Sequence, residues 1–112
     1  MRREAKKYLF DIATAARRIV SFTEGKTFQD YQNDAMLRSA VERQFEIIGE
    51  ALAQLARLDT ELAAHITDYR RIIAFRNILI HGYTQIDDLL VWDIVETKLP
   101  LLHHQVVSLL DG

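Results

Sequence analysis

The chain has 112 residues, 49% of them hydrophobic and 27% charged, with a formal net charge of −2. This is the composition of an ordinary folded domain, which excludes a disordered or membrane-embedded chain. Four Gly and one Pro are too few for a many-stranded sandwich or barrel, so an all-α class is expected, and the lack of Cys excludes disulfides, thiolate metal sites and a cysteine nucleophile and fits a reducing, cytoplasmic setting.

In chain order, Tyr8, Ile12, Ala15, Ile19 and Phe22 recur at spacings of four and three, one face of a helix over about residues 2–23. Gly25 offers its stop. Thr27 with Asp30 forms a capping-box pattern, with Asp in place of Glu, that opens a short turn of helix. Val41, Phe45, Ile48, Leu52 and Leu55 repeat the rhythm in a second long helix from Asp34 to Leu58. Gly49 inside it costs ~1 kcal/mol against Ala, so another backbone is expected to come close there. Thr67 and Asp68 are candidates to start a third helix that carries Tyr69, Ile72, Phe75 and Leu79, ends near His81, and has Gly82 just past its end. Asp87 caps a fourth, with Trp92, Val95, Leu99, Leu102, Val106 and Leu109 on its face, and Pro100 should kink or split it. The connections are too short for interdomain linkers. Residues 1–112 therefore read as a single domain, an antiparallel bundle of four main helices with a short extra one.

The start of the chain is broken by Asp11 and the Arg17-Arg18 pair, so it lacks a signal peptide's apolar region, and no run approaches the ~18 uncharged residues of a membrane span. Thirteen of the 14 Lys and Arg lie at or before Arg76, leaving Lys98 alone against Asp87, Asp88, Asp93, Glu96 and Asp111 afterwards. Nucleic-acid contact must come from that local clustering, since the net charge supplies no global attraction.

The third helix holds an anomaly. Residues 72–80 read Ile-Ile-Ala-Phe-Arg-Asn-Ile-Leu-Ile, apolar on every side except at Arg76 and Asn77, which marks it as the central helix. An unpaired guanidinium in such a run costs several kcal/mol. Arg76 therefore either pairs with Glu46 or Glu50, one turn apart on the second helix, or opens onto a cleft. His81 lies ~7.5 Å further along the axis and roughly 140° around it, so the two meet one phosphate only with some wrapping or with a second subunit. A histidine at a helix end also serves simply as a cap or dipole partner.

Arg76-Asn77-Ile78-Leu79-Ile80-His81-Gly82-Tyr83 resembles the R-x-x-x-x-H-x-Y signature of HEPN-domain ribonucleases, and in particular of the HepT toxin family. The resemblance is broader than this motif. Glu46-Ile47-Ile48-Gly49-Glu50-Ala51 resembles the family's E-I-I-G-E-A segment, and Arg43 matches a family Arg. Asp11-Ile12, Ala15, Ile19 and the Thr23 to Phe28 turn resemble its opening helix, and Val91-Trp92, Ile94 and Leu99-Pro100 its closing one. Tyr69 departs from a common Trp and is expected to affect packing only.

The resemblance implies an all-helical HEPN-like toxin of a type VII toxin-antitoxin system. It would be a homodimer in which two Arg-His motifs face one cleft and cut RNA, such as tRNA or mRNA, without a metal or other cofactor. Arg76 and His81 are then catalytic, and Asn77, Arg43 and Glu46 supporting. The chemistry agrees, since attack by a ribose 2′-hydroxyl needs a base that is neutral near pH 7, as imidazole is, and a cation for the growing phosphorane charge. Tyr83 is, by the same resemblance, the tyrosine to which an MntA-like nucleotidyltransferase antitoxin adds AMP, although a half-buried, hydrogen-bonded phenol is compatible with its position too. His65, His103 and His104 lack a neighbouring Arg, and adjacent His103 and His104 point about 100° apart, which argues against a shared metal. Two other readings use the same residues: a non-catalytic HEPN module that binds RNA or a nucleotide, and a structural partner of the nucleotidyltransferase.

Overall fold

A computed structural model describes residues 1–82 and 86–112. Among these residues the chain forms seven helices and no strand: α1 (Arg3–Thr23), α2 (Phe28–Gln32), α3 (Ala35–Leu58), α4 (Thr60–Ala63), α5 (Tyr69–His81), α6 (Asp88–Thr97) and α7 (Leu99–Asp111). The all-α bundle expected from composition and periodicity is the architecture found. None of these helices is long and apolar enough to cross a membrane.

Small residues decide how closely α1 approaches its neighbours. Ala5, Ala13, Ala15 and Ala16 share its buried face with Leu9, Ile12 and Ile19, which lets α1 settle between α3 and α7. Phe22, assigned to this face by spacing, is 36% exposed. The four-three rhythm has by then drifted to the edge of the buried arc, since 3.6 residues per turn is not matched indefinitely by any whole-number spacing. Beyond α1, Gly25 has φ 73, a left-handed turn that glycine adopts without a Cβ penalty.

The capping box read in the sequence is formed. The Thr27 hydroxyl oxygen accepts from the Asp30 N–H at 3.1 Å, and the Asp30 carboxylate accepts from the Thr27 N–H at 2.9 Å. The Thr27 backbone N–H on the carboxylate, and after it the Thr27 side chain, hold the Asp30 carboxyl below its ordinary range. The short α2 they start buries Tyr31 completely, its ring 5.4 Å from that of Trp92.

The centre of the bundle is α3, not α5. Val41, Phe45, Ile48, Leu52 and Leu55 are all buried, each such side chain contributing on the order of 1.5–3 kcal/mol of transfer free energy. By contrast α5 buries only Phe75 and Leu79, and leaves Ile78 at 50% and Ile80 at 37% exposure. Its apolar composition reflects a face left uncovered by the rest of the described chain, so the expectation of a central third helix is corrected.

Asp68 precedes α5 but does not cap it through its side chain. Its backbone is left-handed, φ 59, and its carboxylate lies 3.8 Å from Lys98. Thr67 N–H donates to the Gln105 side-chain oxygen at 2.9 Å, and the Gln105 amide donates back to the Thr67 hydroxyl at 2.8 Å, so the start of α5 is tied to α7 from outside. Asp87 caps α6 through Leu89 and Leu90 N–H. Pro100 sits in the first turn of α7, where its missing N–H is no loss, so the fourth helix is split rather than kinked.

Candidate active site

Gly49 sets the geometry around Arg76. A Cβ on Gly49 would overlap the Cβ and Cγ of Arg76 and meet the Ile72 carbonyl at 3.5 Å. The bare backbone therefore lets α5 press against α3 with the Arg76 stem lying across it. The backbone approach expected at Gly49 is thus found, and what approaches is the Arg76 turn.

From there Arg76 lines a cavity of about 340 Å³ together with Tyr8 and Asp11 of α1 and Ile47, Glu50, Ala51 and Gln54 of α3. The Arg76 Nε is buried and, among the described residues, has no hydrogen-bond partner. Its side chain also forms no ion pair with any described carboxylate. The two carboxylates offered as its partners are engaged by Arg43 instead, whose Nη1 lies 3.4 Å from Glu46 Oε1 and 3.8 Å from Glu50 Oε1. Arg43 is on the same helix as both, so it reaches them by spacings of three and seven residues without crossing to another element.

His81 is the last residue of α5 and is exposed. It does not line the Arg76 cavity. The helix ends as the Gly82 N–H donates to the Ile78 carbonyl at 2.7 Å. Gly82 has φ −103, so left-handed freedom is not its reason for being there. A Cβ would stand 2.7 Å from the Ile78 carbonyl oxygen, and that close approach favours glycine. Asn77 is exposed on the turn between Arg76 and His81. Tyr83 lies outside the described residues.

Within one chain, then, the guanidinium stem faces α3 and α1 while the imidazole faces solvent at the helix end. The sequence pointed to Arg76, His81, Arg43 and Glu46; Tyr8, Asp11 and Gln54 emerge only from the packing of α1 and α3. For Gln54 the signal was the second, polar stripe of α3, in which Arg43, Glu46, Glu50 and Gln54 follow at spacings of three and four; no pattern on α1 singled out Tyr8 and Asp11 for the site. His65 and His104 are exposed and His103 is half-buried on α7. Among the described residues no three His, Asp or Glu side chains cluster as a metal shell would.

Comparison with known proteins gives the chain its relatives. The family model described as Ribonuclease HepT-like matches residues 12–109. A protein of Methanocaldococcus jannaschii named as a "putative RNase" is 34% identical over 105 residues, which cover 94% of this chain and 95% of the relative. A "probable ribonuclease HepT" of Thermococcus cleftensis is 36% identical over 102 residues, covering 91% of this chain and 92% of the relative. No solved structure matches the chain.

Proposed function

The chain belongs to the ribonuclease HepT-like family, and we propose that it cleaves RNA with Arg76 and His81 as the catalytic pair and no metal ion. One observation carries this reading: a single short helix holds both a guanidinium whose Nε is buried and unbonded among the described residues and an exposed imidazole at its end. A ribose 2′-hydroxyl attacks the adjacent phosphorus as His81 takes its proton. The bond from phosphorus to the 5′-oxygen then breaks, and that oxygen leaves with a proton from an imidazolium. The products are a 2′,3′-cyclic phosphate and a 5′-hydroxyl. Arg76 pairs with the non-bridging oxygens as their charge grows, in the two-pronged manner open to a guanidinium. Arg43, held by Glu46, and Asn77 support the phosphate from the flanks.

In this reading two copies complete the site. The ~140° between Arg76 and His81 on one helix is closed by a second α5 across a twofold axis, and the exposed Ile78 and Ile80 supply apolar surface for that contact. The chain acts as the toxin of a pair whose antitoxin, a nucleotidyltransferase, transfers AMP from ATP to the Tyr83 oxygen with release of pyrophosphate. The added phosphodiester competes with RNA for Arg76 and His81.

Mixing two inactive variants tests the shared site. Arg76→Ala and His81→Ala chains should each fail to cut, yet regain about a quarter of parental activity when refolded together, because half the dimers then hold one intact site of two. Parental activity in either variant alone would refute the assignment, and no recovery from mixed dimers would refute the shared cleft.

A further inference from the structure

The outward face of α1 is unused by the bundle and by the site. Arg3, Lys6, Lys7, Arg17 and Arg18 are all exposed on it. At 100° per residue they fall within an arc of about 120°, over ~22 Å of helix. Among described carboxylates only Asp11 pairs with any of them, holding Lys7 at 3.0 Å; the nearest polar contact of Arg17 is the Thr14 hydroxyl at 3.4 Å. In the middle of this arc stands Phe10, 57% exposed. Such a ring brings no packing to the core, and charged neighbours on both sides are the surroundings in which an aromatic serves as a stacking platform for a base. Five of the 13 cations that the sequence gathers at or before Arg76 are thus displayed as one stripe.

The stripe also leads somewhere. Asp11, the partner of Lys7, lines the Arg76 cavity with Tyr8 on the same helix. A strand whose phosphates follow α1 therefore reaches that cavity without leaving the surface of the protein.

We propose that the outer face of α1 is a track for single-stranded RNA, in which Arg3, Lys6, Arg17 and Arg18 hold phosphates and Phe10 stacks one base, feeding the strand toward Arg76. The proposal rests on the ribonuclease reading for its substrate. Charge complementarity selects the occupant: the stripe offers one large apolar side chain among five cations, too narrow an apolar face for insertion into a lipid surface, which needs a broad one.

The test uses the full chain and a 15-nucleotide 2′-O-methyl RNA, which cannot be cut by 2′-hydroxyl attack, followed by fluorescence anisotropy across a salt series. Lys6→Gln with Arg17→Gln should weaken binding at least tenfold and flatten the slope of log affinity against log salt by about 1.4, or ~0.7 per lost phosphate contact. Phe10→Leu, which keeps an apolar side chain at an exposed site, should weaken binding at least fivefold with the slope unchanged. Cleavage of a dinucleotide, too short to touch the stripe, should stay at the parental rate in these variants. Failure of the parental chain to cut any RNA would overturn the ribonuclease reading, whereas the anisotropy arm judges the track separately. Unchanged affinity and slope in the double variant would overturn the track. So would a loss of binding confined to vesicles containing phosphatidylglycerol, with RNA binding intact.

Discussion

Replacing Gly49 by alanine sets two effects of known sign against each other. Alanine is the better helix former by ~1 kcal/mol in a helix interior, so α3 alone would gain. The new Cβ would overlap the Arg76 Cβ and Cγ, and a Cβ is fixed to its backbone, so the clash is relieved only if α5 moves off α3. Inserting a methyl into a packed contact costs about 1–3 kcal/mol, and the rigidity of both partners places this case in the upper part of that range. The balance is a net loss of about 1–2 kcal/mol, or a fall of roughly 4–8 °C in Tm for a chain of this size. Arg76→Gly removes the obstructing atoms and leaves only the ordinary 3.5 Å contact to the Ile72 carbonyl. In that background Gly49→Ala should therefore become neutral or stabilising. Thermal unfolding followed by circular dichroism on the four proteins measures the coupling directly. If Gly49→Ala raises Tm in the parental background, or lowers it equally in both, the argument that Gly49 exists to admit Arg76 is refuted.

Other expectations follow from the same structure. Burial, aided by Asp88, raises the Glu42 carboxyl above its ordinary 4.5, so its neutral form favours folding and this contribution is lost as pH rises through the folded value; Glu42→Gln should stabilise the protein at pH 7 and change little at pH 3.5 by urea unfolding. The Asp30 carboxyl is shifted the other way; its contribution is present above the usual carboxylate range and fades as pH falls, so Asp30→Asn should flatten the acid side of the stability profile. Thr27→Ala removes the α2 cap and should cost ~1 kcal/mol by the same urea assay. Co-expression with the cognate nucleotidyltransferase should add one or more AMP groups at Tyr83, read by intact mass and peptide mapping, and Tyr83→Phe should carry none; an adduct on Tyr8, Tyr31 or Tyr69 instead would remove the proposed switch.

Much of this architecture is legible in the sequence because long amphipathic helices write their buried face as a regular stripe. All five stripe residues of α3 and the Thr27–Asp30 box are found as read. Helix α4 is four residues long, too short to show any period. The apolar run of α5 misleads for a physical reason: a helix with apolar residues all round is either enclosed by its own chain or waiting for cover, and composition alone does not separate these cases. The resemblance to HepT proteins, carried by the Arg76–Tyr83 motif together with the Glu46–Ala51 segment and the opening and closing helices, is borne out as a family by the match over residues 12–109. The company that Arg76 keeps was not legible. Glu46 and Glu50 share a face of α3, but that spacing does not reveal that Arg43 already holds both, nor that Tyr8 and Asp11 arrive from α1 to wall the cavity.

The central claim, cleavage by attack of the ribose 2′-hydroxyl through Arg76 and His81, is tested most directly by the chemistry of the new RNA ends. Purified chain incubated with total RNA, with and without EDTA, should leave 2′,3′-cyclic or 3′-phosphate ends opposite 5′-hydroxyls, at equal rates in both conditions, and neither Arg76→Ala nor His81→Ala should produce them. Ends carrying 5′-phosphate and 3′-hydroxyl, loss of cutting in EDTA, or the same ends from the His81→Ala chain would contradict it.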